Sequence, residues 1–107
     1  MEEVKIKYKV EVINYLNQLT LILYKGNYFS YLESAINYKN KIIEFIEESI
    51  LIFPAQKTPI NIQYLGSKYI FYKSNQRTTW YIFFEQKENN FVITNIINNN
   101  AKEVKWL

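Results

Sequence analysis

The chain has no cysteine, no histidine and no aspartate. Without cysteine there are no disulfide scaffolds, no thiolate nucleophiles and no Cys-ligated zinc. Without histidine, acid–base catalysis and His-based metal sites lose their usual residue. Without aspartate, EF-hand calcium loops and aspartic dyads are excluded. No metal site and no cofactor are therefore expected. Glycine and proline occur twice each, so Gly26, Gly66, Pro54 and Pro59 serve as punctuation. The longest apolar runs, 19–24 and 80–84, fall far short of the ~20 residues that span a bilayer. The start, Met1-Glu2-Glu3-Val4-Lys5, carries charge and no apolar core of a secretory signal. A cytoplasmic chain with no membrane partner is the expectation.

What is present is apolar and aromatic. The 107 residues are 49% hydrophobic, 18% aromatic and 21% charged, a composition that builds one globular domain over residues 1–107. Net charge is +3. Residues 1–53 hold six Lys and seven Glu, net −1, while residues 54–107 hold six Lys, one Arg and three Glu, net +4. The basic C-terminal half suits nucleic acid or an acidic protein partner.

Val4, Ile6, Tyr8 and Val10 alternate with Lys5, Lys7 and Lys9, the period of a half-buried edge strand. From Glu11 the period becomes helical, with Val12, Leu16, Leu19 and Leu23 on one stripe flanked by Ile13 and Thr20. Gly26-Asn27 is a stop that tolerates a left-handed cap. Ser30 with Glu33 forms a capping box for a second helix. Its apolar face is Leu32, Ala35, Ile36, Ile42, Ile43, Ile46 and Ile50, and it ends before Pro54. A short linker makes the two helices an antiparallel hairpin. Residues 53–66 read as a loop with a short extended stretch over 60–64. Three strands follow, 68–73, 78–87 and 91–97, separated by polar breaks at 74–76 and 88–90. The tail after Asn98-Asn99-Asn100 carries no clear pattern. The order β, α, α, β, β, β predicts an α+β fold with a helical hairpin on one face of an antiparallel sheet, the first strand joining a non-sequential neighbour.

On the third strand Trp80, Ile82 and Phe84 share one face, and Tyr81, Phe83 and Glu85 share the other. Glu85 marks the second set as the exposed face. Tyr69, Tyr72, Trp80, Tyr81 and Phe83 interleave with Lys68, Lys73 and Arg77. Such a pattern is either a stacking platform for single-stranded RNA or simply alternate aromatics forming the sheet core against the helices. Arg77, the single arginine, is either a bidentate phosphate clamp or a solvated hairpin tip. Glu44, Glu47 and Glu48 fit a solvated helix face better than a carboxylate site. Lys102, Lys105 and Trp106 either complete a site or belong to a frayed tail.

This element order and length resemble the RelE/ParE superfamily of bacterial toxins from type II toxin–antitoxin systems. The resemblance rests on the apolar helix 31–50 followed by Phe53-Pro54, on Leu65-Gly66 before the next strand, on 77–84 with its basic turn and aromatic strand, and on the Ile/Val-rich 91–97. It covers essentially the whole chain. It implies a two-layer RelE/ParE-like fold and a cognate antitoxin as partner. It also implies one of two actions: ribosome-dependent mRNA cleavage by an endoribonuclease, or non-catalytic poisoning of DNA gyrase. For cleavage, Arg77 and Tyr81 would be catalytic, with Lys68, Lys73, Arg77, Phe83, Lys102, Lys105 and Trp106 binding nucleic acid or a partner. The chain departs from the ribonuclease pattern by placing Tyr81 where a strand arginine is usual and Asn98-Asn99-Asn100 where Arg or His often stands. A small α+β interaction module without enzymatic activity is the remaining alternative.

Overall fold

The computed structural model describes residues 3–26 and 31–107. Strand β1 (Lys5–Tyr8) is followed by helices α1 (Val10–Lys25) and α2 (Leu32–Ser49). Strand β2 (Gln56–Lys57), a 3-10 helix (Ile60–Leu65) and strands β3 (Lys68–Lys73), β4 (Thr79–Lys87) and β5 (Asn90–Asn98) come next. A second 3-10 helix (Lys102–Trp106) closes the chain. The fold is α+β: two helices cover one face of a five-stranded sheet of order β1-β5-β4-β3-β2.

The non-sequential neighbour of β1 is β5, and the two run parallel. Every other pairing is antiparallel. The period-two pattern of β1 turns Ile6 and Tyr8 toward the helices and leaves Lys5 and Lys7 exposed. On α1 the stripe Val12, Leu16, Leu19 and Thr20 is buried. Thr20 is accommodated because its hydroxyl donates to the Leu16 carbonyl one turn back. Ala35, Ile42, Ile46 and Ile50 form the buried side of α2, each large side chain contributing about 1.5–3 kcal/mol. The first turn of that predicted apolar face, Leu32 and Ile36, is exposed.

Neither helix starts on a side-chain cap: Lys9 and Tyr31 hold the N-cap positions without one. The expected Ser30 cap and Asn27 stop lie outside the described residues. Gly26 ends α1 at φ −82, with its N–H donating to Ile22 O at 2.8 Å, so the left-handed cap is not formed there. The segment expected to be extended over 60–64 is instead a 3-10 helix kinked at Ile62. Pro59 precedes it at φ −57, an angle suited to entering a helical turn, and the Ile62 N–H bonds back to the Pro59 carbonyl. The extended residues of that region are Gln56 and Lys57.

Between Phe83 and Phe84 the β4–β5 register shifts by one residue. Phe83 pairs with Asn95 and Phe84 with Ile93, so Thr94 is the extra residue of a bulge. The shift changes the parity of β5, which is why Ile93 and Ile96, three apart, both enter the core beneath the helices. Trp80, Ile82 and Phe84 meet them from β4. A second cluster, Ile62, Leu65 and Phe83, lies on the opposite face of the sheet. No helix among the described residues is long and apolar enough to cross a membrane.

Candidate functional site

The helix-free face of the sheet carries two different surfaces. Over the middle of β4 the 3-10 helix Ile60–Leu65 closes it, with Ile62 and Leu65 packed on Phe83. The closure is fixed at Gly66, which sits at φ +154 against the sheet. Leu65 O accepts from the Thr94 hydroxyl and, at 3.2 Å, from Asn95 Nδ2. Ser67 donates from its N–H at 3.0 Å and from its hydroxyl to the Glu85 carboxylate. Toward Lys73 the face stays open. There Tyr69, Phe71, Lys73, Thr79, Tyr81 and Leu107 line a shallow cleft of about 290 Å³.

The rings of that cleft form a connected layer. Tyr69 and Tyr81 stand edge to face at 6.2 Å between centroids, and Phe71 and Tyr81 are 6.4 Å apart. Phe71 is 40% exposed. The register explains the grouping: Tyr69 opposes Phe83, Phe71 opposes Tyr81 and Lys73 opposes Thr79, so odd-numbered residues of β3 and β4 share one face. Burial, with Tyr81 nearby, holds the Tyr69 phenol above its ordinary range. The shift makes this phenol a weaker acid than an ordinary tyrosine.

The predicted site residues separate on this surface. Tyr81 and Lys73 line the cleft together. Phe83, expected to be available to a partner, has 0% exposure. The 3-10 helix covers it because β4 is apolar on both faces and the 60–65 segment supplies Ile62 and Leu65 to bury the second one. Lys68 opposes Phe84 in the ladder and so belongs to the other face, beside Lys57 of β2. Tyr72 likewise points to the helices, stacking on Phe45 at 4.8 Å.

Arg77 is exposed in the β3–β4 turn and is not a lining residue of the cleft. Its N–H donates to Asn75 Oδ1 at 2.8 Å, and its carbonyl accepts from Asn99 Nδ2 at 3.0 Å. Asn99 Oδ1 also accepts from the Thr79 N–H at 3.0 Å, so one amide side chain brackets the turn. Asn98 is spent similarly, its Oδ1 accepting from the Asn100 N–H at 2.8 Å. Lys102, Lys105 and Trp106 lie together on the last 3-10 helix, all exposed. Lys105 Nζ sits 5.1 Å from the Trp106 ring centroid, a cation–π contact.

Phe71, Thr79 and Leu107 were not singled out from the sequence. The β3 alternation could have exposed Phe71, since it shares parity with Tyr69 and Lys73. Leu107 has no periodic signal at all. Glu44, Glu47 and Glu48 are exposed on α2, and no group of three or more His, Cys, Asp or Glu among the described residues is arranged to hold a metal.

A larger cavity of about 540 Å³ opens where α1 meets the β3–β4 turn, with Tyr15, Leu19, Tyr38 and Trp80 in its wall. Two of its polar ring atoms are bonded within the protein: Trp80 Nε1 donates to Tyr38 Oη at 2.9 Å, and that oxygen lies 2.8 Å from Ser74 Oγ. No Lys or Arg is among its described lining residues, so it suits an anionic ligand less well than the smaller cleft. No protein-family model, curated protein or solved structure matches the chain.

Proposed function

We propose that this chain is a RelE/ParE-like toxin of a type II toxin–antitoxin system, acting on mRNA in the cytoplasm and neutralised by a cognate antitoxin protein. One observation carries the reading. A helical hairpin covers one face of a sheet whose first strand lies parallel to its last, and the other face opens into a cleft of rings beside Lys73. Rings next to a cation are how single-stranded RNA is held, by base stacking and phosphate contact.

Cleavage in such a site would be attack of a ribose 2′-hydroxyl on the adjacent phosphate. The hydroxyl proton passes to a base and the departing 5′-oxygen receives a proton. Lys73 would stabilise the charge that develops on the phosphorane. The Tyr69 phenol lines the same cleft and would supply the O–H for that second transfer.

A second reading, binding without cleavage as in a gyrase poison, is favoured by a specific observation. Arg77 stands on the turn and outside the cleft lining, and Asn98 and Asn99 are committed to backbone hydrogen bonds. Inducible expression tests both. The toxin reading requires growth arrest that a co-expressed product of the adjacent gene relieves, and unimpaired growth overturns it. Fragmented mRNA in arrested cells supports cleavage, while intact mRNA eliminates it and leaves the binding mode.

A further inference from the structure

Residues 102–107 are attached to the rest of the molecule in an unusual way. The 3-10 helix Lys102–Trp106 buries none of its own residues. Its backbone bonds are local: Ala101 N to Asn98 O, Val104 N to Ala101 O and Leu107 N to Val104 O. One exposed side-chain bond ties it to the neighbouring 3-10 helix, Tyr64 Oη donating to Glu103 Oε2 at 3.4 Å. Glu103 and Val104 are half-buried where the segment meets the 60–65 helix, and Leu107 packs with the cluster that includes Tyr69, Tyr81 and Ile97 and lines the cleft. The segment thus rests on the turn at Asn98–Ala101, on the half-buried edge of the 60–65 helix and on one leucine among the rings.

We propose that residues 102–107 form a strap that masks the ring-lined cleft, and that a single-stranded RNA segment competes with Leu107 for Tyr69 and Tyr81. The competition rests on the reading of that cleft as an RNA site, whereas the masking does not. The physical argument is a balance of weak and strong contacts. A segment with no fully buried residue, local backbone bonds and only half-buried apolar contacts belongs to the less stable parts of a fold. Unstacked bases are matched to the rings that share the cleft with this leucine. The strap also carries the exposed Lys102 and Lys105, two cations available for phosphate contact beside the cleft.

Two readouts on Leu107→Ala separate the masking from the ligand. The first uses no ligand: nitration by tetranitromethane, followed by peptide mass spectrometry. Tyr69 and Tyr81 should react at least threefold faster in the variant, while Tyr31, already exposed, reacts at an unchanged rate. Unchanged rates at Tyr69 and Tyr81 would overturn the strap. The second is fluorescence anisotropy with a labelled single-stranded oligouridine of eight nucleotides. The variant should bind at least fivefold more tightly. Equal or weaker binding would mean that Leu107 is a wall of the site, which overturns the competition. Faster nitration with no oligouridine binding by either protein would support the masking and overturn the RNA reading of the cleft. A thermal melt establishes that the variant is folded. Should it not be, Tyr64→Phe, which removes only the exposed bond to Glu103, is carried through both assays with the same direction expected.

Discussion

Gly66→Ala tests how the helix-free face is closed. The residue holds φ +154, a value that side-chain-bearing residues adopt only under strain. A Cβ placed there would lie 2.5 Å from Thr94 Oγ1, 2.9 Å from Phe83 Cβ and 2.9 Å from the Phe84 nitrogen. Two of these neighbours belong to the β4 backbone or its first side-chain carbon, which cannot swing away. Backbone strain costs about 1–3 kcal/mol, and forced overpacking a further ~1–3 kcal/mol. The expected loss is thus about 2–6 kcal/mol. In a domain of this size each kcal/mol moves the melting temperature by ~4–8 °C, so a fall of at least ~8 °C should appear in a circular-dichroism melt. Urea unfolding should show the same loss with an unchanged m-value. A loss below ~1 kcal/mol would refute the close approach of this turn to β4. Thr94→Ala offers an internal control, since it removes the nearest obstacle and also one of the two donors to Leu65 O. The double variant should be less unstable than the sum of the singles by ~0.5 kcal/mol or more.

Tyr81→Ala should weaken oligouridine binding by about 5- to 100-fold, the range of one lost stacked base, whereas Tyr81→Phe keeps the ring and should stay within about twofold. If Tyr81→Phe abolishes toxicity while binding persists, the phenol takes part in chemistry; if toxicity is retained, the ring alone matters. Lys73→Ala should reduce the slope of log affinity against log salt by ~0.7, the value of one single-strand phosphate contact, and an unchanged slope would remove Lys73 from the site. Burial, with Glu47 nearby, pushes the Tyr8 phenol up to about 12. Below pH 10 it is protonated folded and unfolded alike. Above that the unfolded chain loses the proton first, so the stability that is complete at lower pH drains away as pH rises toward 12. With the phenol only half-buried, the loss should be about 1–2 kcal/mol. Denaturant titrations between pH 9 and 12 should show a loss smaller by about that amount in Tyr8→Phe than in the wild type, since the raised phenols of Tyr15 and Tyr69 titrate in both. Asn99→Ala should cost ~1–2 kcal/mol by releasing the Arg77 carbonyl and the Thr79 N–H together, and it should raise amide exchange in the β3–β4 turn.

The regular elements were legible because their periods are clean. Alternating Lys and apolar residues wrote β1, the stripe from Val12 to Leu23 wrote α1, and polar breaks of three residues separated β3, β4 and β5. The grouping of Tyr81 apart from Trp80, Ile82 and Phe84 followed from strand alternation alone. The availability of Phe83 did not. Both faces of β4 are apolar, and alternation assigns residues to faces without saying what covers each one. That was settled by residues 60–65, whose pattern is not periodic and whose 3-10 turn depends on Pro59 and on seating against Phe83.

The sequence by itself determined the α+β class, the hairpin of helices and the face of β4 that meets them, because those depend on local spacing of apolar residues. Tertiary structure alone decided that β1 runs parallel to β5, that a one-residue bulge brings Ile93 and Ile96 to the same side, and that Lys73, Tyr81 and Leu107 meet while Lys68 and Arg77 stand apart. The physical reason is that pairing direction, register and coverage depend on contacts between residues far apart in the chain. Short-range periodicity carries no information about those contacts.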